Sequence, residues 1–503
     1  MPKSHWGISM NSNWSLLILV FTALALASCT GTKSTCTTNC TTGKATVNVT
    51  LFDTPPTGVT ALSFTLPIVG ISLTPSTGSP VSIYSPTNII PTEITHLQSD
   101  STVITTGAAV AAGTYTSVNV TLGASSGVFI NDSGSSITGG TPSPCPSFAV
   151  CQLPNGAATT VSIPVNLTLN SGQNQWIGLD INLSNAIRSP TTTSIGVDFT
   201  QAKTFTVNTT ARVGIPSGSV DSIADFTGAV TAVSSSSITV QSSMTGQTIT
   251  AAINSSTVFN SAPSTYSNCT SPTSCIVKGS VVSMDALLTT AGTFVAIELD
   301  TLDTTAVDEV EGIIYPTATA GVVGLILFDK TSASGNALLA SSVSTTYGTG
   351  IFLTANSNIN YGVDTKTLTN AITPIGFAGS GDLLAGQQIR AQVTGVTSAT
   401  SNGTTSIQAT ATNVILRWSR ISGTINSLGG LNFTVTGIPS YINGLNTTLS
   451  LTPLVFTYNP GTFFDGVTST TDANFVVGNS VAIRALYLNN NAPPFQAAAV
   501  RVP

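Results

Sequence analysis

Six carboxylates crowd into 14 residues: Glu298, Asp300, Asp303, Asp308, Glu309 and Glu311 are six of the chain's 20 acidic side chains. Oxygen clusters hold hard cations, and Ca2+ takes roughly six to eight oxygen ligands. The spacing matches neither an EF-hand loop nor an aspartate-rich nonapeptide. Alternation along a strand would send some of these groups to opposite faces. The stretch therefore reads first as a solvated, self-repelling linker, with a Ca2+ site as the alternative.

General acid–base catalysis most often uses histidine, and His96 is the one histidine beyond the N-terminal leader. Its setting, Thr95-His96-Leu97, fits a structural, hydrogen-bonded histidine better than a catalytic one. Gly123-Ala124-Ser125-Ser126-Gly127 matches the G-x-S-x-G pattern, which works when a strand-to-helix turn projects the serine beside a histidine. No helical pattern follows it, so the segment reads as a loop. No set of nucleophile, base and orienting group can be assembled, and no enzyme activity is expected.

Trp176 and Trp418 are the two tryptophans beyond the leader. Aromatic rings ringed by polar groups form stacking platforms for sugars. Arg417-Trp418-Ser419-Arg420 would supply such a ring with donors on either side. It also suits a domain junction, as an aromatic plug flanked by surface charges, and packing is the expected role.

These side chains must be positioned by a long chain with little charge. At 503 residues it exceeds one hydrophobic core, so several domains are expected. Charged residues are 7% of the total, and the polar residues are largely Ser, Thr, Asn and Gly. Thr and Val favour strands, whereas helical surfaces use Lys, Glu, Arg and Gln. An all-β architecture follows. The net charge is −6 with 14 Lys and Arg, unclustered, which excludes a phosphate-backbone partner such as nucleic acid. After the first thirty residues no apolar run approaches the roughly 20 residues that span a bilayer as a helix.

The N-terminus reads as a secretion signal, with Lys3 before an apolar core from Leu16 to Ala27. Leu26-Ala27-Ser28-Cys29 resembles the lipobox of bacterial lipoproteins, in which the cysteine is acylated and becomes the first mature residue. In that resemblance Thr30, a non-Asp residue after the cysteine, implies sorting to the outer membrane. The acyl chains would then bind the membrane at about 0.8 kcal/mol per buried methylene. Setting Cys29 aside leaves three close pairs, Cys36 with Cys40, Cys145 with Cys151 and Cys269 with Cys275. In an oxidising compartment each pair would close a small loop.

Residues 29–44 read as a tether. Period-two alternation starts at Ala45: Val47, Val49 and Leu51 on one face, Thr46, Asn48 and Thr50 on the other. It recurs at Val118, Val120 and Leu122, at Val165, Leu167 and Leu169, and at Leu179, Ile181 and Leu183. The pattern predicts half-buried antiparallel strands and a β-sandwich over 45–213. Residues 132–161, rich in Gly, Ser and Pro, read as a long surface loop. Val49-Thr50-Leu51-Phe52-Asp53-Thr54-Pro55, Ile68-Val69-Gly70-Ile71-Ser72-Leu73 and Gly113-Thr114-Tyr115 resemble a domain of unknown function at the N-terminus of bacterial lipoproteins. One departure is Thr54-Pro55-Pro56, where that family more often has Ala-Pro. The resemblance implies a transthyretin-like or carboxypeptidase-regulatory-like sandwich and brings no activity with it.

The remainder repeats. Phe226-Thr227-Gly228, Val310-Glu311-Gly312 and Ile421-Ser422-Gly423 open three units, and Val277-Lys278-Gly279, Leu384-Ala385-Gly386 and Val476-Val477-Gly478 mark a second glycine in each. The units should close with strands ending at Ile297, Val414 and Val500. This spacing predicts three small β-barrel repeats over 219–305, 306–418 and 419–503. They resemble a tandem domain of unknown function with an OB-like outline found in exported bacterial proteins. With a leader over 1–28, the expected protein is a lipid-anchored envelope module with its domains in a linear chain. Its role would be structural, adhesive or binding, with other envelope proteins or polysaccharide as partners. Polysaccharide binding is the named alternative.

Overall fold

Thr- and Val-rich alternation becomes strand throughout the computed structural model of the chain. The structure describes residues 43–54, 60–131, 134–147, 149–188, 194–261, 276–316, 321–341, 351–355, 359–364, 377–401, 404–437, 454–458, 461–488 and 495–503. The expected leader, most of the tether and the cysteines Cys29, Cys36, Cys40, Cys269 and Cys275 lie outside the described residues.

The N-terminal strands are β1 (Lys44–Thr54), β2 (Thr60–Leu66), β3 (Ile68–Pro75), β4 (Val81–Tyr84), β5 (Thr92–Glu93), β6 (Thr102–Ala111) and β7 (Gly113–Leu122). They continue as β8 (Ser126–Ile130), β9 (Val150–Gln152), β10 (Thr159–Leu169), β11 (Asn174–Asn182), β12 (Ile187–Arg188), β13 (Gly196–Val197) and β14 (Phe205–Asn208). One four-stranded sheet runs β14-β11-β1-β6 and a second runs β10-β7-β3-β4. A third, β5-β2-β8-β9, joins them. Val47, Val49, Leu51, Val118, Val120, Leu122, Leu179 and Ile181 share one buried core.

Three expectations change here. β1 pairs with β11 in parallel, because alternation reports which face is buried and not the direction of the neighbouring strand. Asn48 and Thr50 are buried rather than solvated, since the second face of this sheet packs against the first barrel. Residues 132–161 are not simply a surface loop. Ile137 bridges Cys145, Thr141 bridges Gln152, and a disulfide joins Cys145 to Cys151, both fully buried. Asn131 Nδ2 donates to the carbonyls of Ser135, Cys145 and Pro146, supplying polar partners that a Gly- and Ser-rich segment lacks.

Among the described residues the three barrels use eighteen strands. The first has β15 (Ser219–Val233), β16 (Ser237–Ser242), β17 (Thr248–Ala252), β18 (Val258–Ser261), β19 (Val281–Thr289) and β20 (Phe294–Asp303). The second has β21 (Glu309–Pro316), β22 (Val322–Thr331), β23 (Ile351–Thr354), β24 (Asn360–Val363), β25 (Gln388–Ser401) and β26 (Thr404–Leu416). The third has β27 (Ser419–Gly429), β28 (Asn432–Thr436), β29 (Leu454–Thr457), β30 (Phe463–Asp465), β31 (Ser480–Tyr487) and β32 (Phe495–Arg501). In each, the first strand pairs antiparallel with the second and fifth, and the third closes a ring of five by pairing in parallel with the sixth. The fourth adds a parallel edge. Ring closure removes the exposed strand edges that would otherwise template aggregation.

The repeat extends to strand register. Phe226, Met284 and Leu299 lie across from one another, as do Val310, Ala391 and Val414, and Ile421, Ile483 and Val500. Leu299, not Ile297, is therefore the counterpart of Val414 and Val500. The second glycines explain themselves as well. Gly279, Gly386 and Gly478 have φ of 94°, 92° and 95°, backbone that L-residues with a Cβ adopt only under strain. Their N–H groups donate to Val230, Ile314 and Ile425 at 2.8, 3.1 and 2.8 Å, fixing the turn that enters the fifth strand.

The barrels are not strung out in a line. Gly43–Pro503 forms one compact unit. Leu62, Val128 and Ile130 of the sandwich share an apolar cluster with Ile326 of the second barrel and Phe433, Phe456 and Phe495 of the third. Val103 and Trp176 pack into the core of the first. Two residues, Arg417 and Trp418, join β26 to β27, a connection too short to act as a spacer.

Candidate functional site: a buried ionic hub and the cavity beside it

Where sandwich and barrels meet, apolar strands deliver charge inward. Arg390 and Arg484 stand between apolar neighbours in the fifth strands of the second and third barrels, Arg501 does so at the end of the third barrel's sixth strand, and Arg417 lies between Leu416 and Trp418. Alternation places these guanidiniums on the face opposite the barrel core, and packing of the barrels buries that face. Arg212, Arg390, Arg417, Arg420, Arg484 and Arg501 all take part.

Arg417, fully buried, bridges three elements: Asp225 of the first barrel, and Asp364 and Glu311 of the second, the last at 3.4 Å. Arg420 reaches Asp225 at 2.7 Å and Asp100 of the sandwich at 2.8 Å. Arg484 lies 3.2 Å from Asp285 and 3.5 Å from Asp100. Arg390 Nε donates to Glu309 at 2.8 Å, and its Nη1 pairs with Glu311 at 3.1 Å. Arg212 and Arg501 share Asp465, each at 2.8 Å, and Arg212 also holds Asp221 at 2.8 Å. A planar fork with five donors can hold carboxylates from two domains at once, which a lysine ammonium cannot do with the same geometry.

Protonation adjusts the balance. Burial raises Glu311, but Arg417 and Arg390 outweigh it and hold the carboxyl below its usual range. Asp465 is likewise lowered, with Arg501 and Arg212 overcoming burial. Glu309 goes the other way, pushed up to about 7 by burial, with Asp303 opposing its ionisation through charge and a shared hydrogen bond.

The acidic run is thus neither solvated nor a linker. Glu298, Asp300, Asp303, Glu309 and Glu311 are buried. Glu298 accepts from Asn260 and Asp303 from Gln392, while Asp308 accepts from the Ser334 backbone N–H at 2.7 Å and from its hydroxyl. The linker reading failed because the balancing arginines lie about eighty to a hundred residues downstream. Among the described residues no group of three His, Cys, Asp or Glu side chains is placed to hold a metal ion, so the alternative of Ca2+ finds no ligand set there.

The other candidates are buried too. Trp176 is 4% exposed, and its Nε1 donates to Thr50 Oγ1 at 2.8 Å. Thr50 donates in turn to Asp221 at 2.5 Å. Trp418 is fully buried under Arg484. Neither indole presents a face to solvent, and Arg417 and Arg420 are hub residues rather than surface charges. His96 lies in a 3-10 turn, Thr95–Gln98, edge-on to Phe328 at 4.3 Å. Burial, aided by Arg420, lowers its pKa to about 3, so the ring is neutral at ordinary pH. Glu93 organises that turn, accepting from the N–H of Phe64 at 2.6 Å and from Thr95 Oγ1 at 2.8 Å. Ser125 of the G-x-S-x-G segment sits in the connection between β7 and β8, where its Oγ accepts from Gly156 N–H at 3.1 Å.

Sequence reasoning missed Asp100, Asp225, Asp285, Asp465, Arg390, Arg484 and Arg501. A signal existed: in a chain this poor in charge, an arginine inside an apolar strand marks a buried partner. Beside the hub lies a cavity of about 160 Å3 between the first barrel, the third barrel and the turn at Ser99. Ser99, Asp100, Asp285, Glu298, Arg484 and Arg501 line it.

Comparison with known families gives one match. Residues 44–214 match the model of a domain of unknown function, DUF4382, and the match ends before the first barrel. No curated protein matches the chain.

Proposed function

We propose that the protein is a lipid-anchored, non-enzymatic module of the bacterial outer membrane that presents one rigid β head for binding. The observation that carries this reading is the hub. Its arginines and carboxylates are committed to one another across four domains, in pairs that stabilise only while intact. Such a site holds a shape rather than performing turnover. The neutral, buried His96 and the tied Ser125 fit the same role. The lipobox-like Leu26-Ala27-Ser28-Cys29 supports the anchor, and the Cys145–Cys151 disulfide agrees with an oxidising compartment. The ring connectivity of each barrel supports reading the repeats as OB-like five-stranded barrels, a fold that binds on its outer faces. The sandwich is read as transthyretin-like on its resemblance.

The test uses cells expressing the full chain. The wild type should sediment with membranes and carry acyl groups on Cys29 by mass spectrometry of the N-terminal peptide, while Cys29→Ala should appear in the soluble fraction. Crosslinking in intact cells should then join the head to envelope proteins or polysaccharide. An unacylated wild-type chain in the soluble fraction contradicts the anchor, and a head without crosslinks contradicts the binding role.

A further inference from the structure

The cavity beside the hub has a property that the hub alone does not require. Three of its lining residues carry polar atoms with no hydrogen-bond partner: Ser99 Oγ, Asp100 Oδ1, and Arg484 Nε and Nη1. Ser99 and Asp100 are each 4% exposed, as is the Arg484 side chain. Buried polar groups are normally satisfied, and each one left without a partner costs about 1–3 kcal/mol. Arg484 Nη1 lies 3.5 Å from Asp100 Oδ1, close enough to attract but too far for a good hydrogen bond. A donor and an acceptor thus stand side by side in the wall of a space of about 160 Å3.

The chemistry of that wall selects a ligand class. An anion would meet Asp100, Asp285, Glu298 and Asp465 around two arginines. A metal cation would meet Arg484 and Arg501, with no convergent ligand set among the described residues. A hydroxyl group suits both partners, because it donates to Asp100 Oδ1 while accepting from Arg484 Nη1. Ser99 Oγ, in the same wall, offers a further polar partner to a second hydroxyl. Ile297, Phe463 and Ala498 line the cavity as well, offering apolar surface to the C–H face of a ring. Polar groups converging beside apolar surface are the usual make-up of a small-molecule site.

We infer that this interdomain cavity binds one unit of a neutral, polyhydroxylated ligand, a sugar residue, through Ser99, Asp100 and Arg484. The inference rests on the binding role proposed above and names a site and a ligand class for it. The site differs from the one that the tryptophans suggested, since it works by hydrogen bonding and not by stacking.

Saturation-transfer NMR and calorimetry on the full mature chain in detergent test it, with glucose, galactose, N-acetylglucosamine and rhamnose as separate probes. At least one should bind saturably, with affinity reduced about tenfold or more by Asp100→Asn. Because Asp100 also pairs with Arg420, that variant is read beside Ser99→Ala, which leaves the hub charges intact. Ser99→Ala should melt at or above the wild-type midpoint, because it removes a buried hydroxyl that has no partner, and should weaken the same probe several-fold. Failure of all four probes to bind overturns the inference and identifies the cavity as a water site. Binding that both variants leave unchanged also overturns it, by placing the sugar elsewhere. Neither result touches the binding role, which crosslinking to envelope components decides independently.

Discussion

Arg417 and Asp225 are 192 positions apart in sequence and form a buried ion pair. Through it the link between the second and third barrels is fastened to the first barrel. Arg420, three residues on, ties Asp225 and Asp100 together and brings in the sandwich. A chain with 7% charged residues has placed much of its charge at this one junction.

Removing the guanidinium strands its partners. Arg417→Met should destabilise the protein by about 3–5 kcal/mol, because Asp225, Asp364 and Glu311 lose a shared counter-ion while still buried. Urea denaturation followed by fluorescence measures this. A loss below about 1 kcal/mol would mean that the pairs are already hydrated.

Stability should fall as pH rises from 5 to 8. Burial raises Glu93 to about 7 and Asp329 to about 6, and Glu309 is raised likewise. A carboxyl with a raised folded-state pKa contributes fully below its unfolded value, near 4, and the contribution is lost as pH climbs through the folded value. His96 opposes them. Its folded pKa of about 3 favours the neutral ring, so its contribution grows as pH rises to 6.5. Three carboxyls outweigh one imidazole, leaving a net loss of a few kcal/mol across this interval. Denaturant midpoints at pH 5, 6.5 and 8 check the sign, and a midpoint rising steadily with pH contradicts it.

Replacing both Cys145 and Cys151 by Ala should cost about 2 kcal/mol on loop-closure entropy, since the bridge spans six positions. The loss should appear in the melting temperature, and addition of reductant should lower the wild type by a similar amount. A wild type insensitive to reductant even when unfolded would show that the bond does not form.

Gly386→Ala puts a Cβ on backbone with φ of 92°. The turn should lose about 1–2 kcal/mol, and Gly279→Ala and Gly478→Ala should lose similar amounts, because the three glycines make the same hydrogen bond. Chemical denaturation of the three variants side by side tests the equivalence of the barrels directly.

The strands and the triple repeat were legible because both write themselves locally. Val118, Val120 and Leu122 alternate, and Gly279, Gly386 and Gly478 recur beside strands. The hub was not legible, because its logic is long-range: Glu311 looked like a solvated carboxylate until Arg390 and Arg417 arrived from other strands. The parallel pairing of β1 with β11 was hidden for the same reason, since alternation carries no information about direction. Trp176 and Trp418 illustrate the limit of composition. Their ring chemistry suits sugars, but burial in domain junctions assigns them to packing.

The central claim, that sandwich and barrels act as one head locked by the hub, is tested most directly by differential scanning calorimetry of the full mature chain. The account predicts a single cooperative transition in the wild type, split into separate transitions by Arg417→Met. A wild type that already melts in two or more independent steps, one of them belonging to residues 44–214, would contradict it.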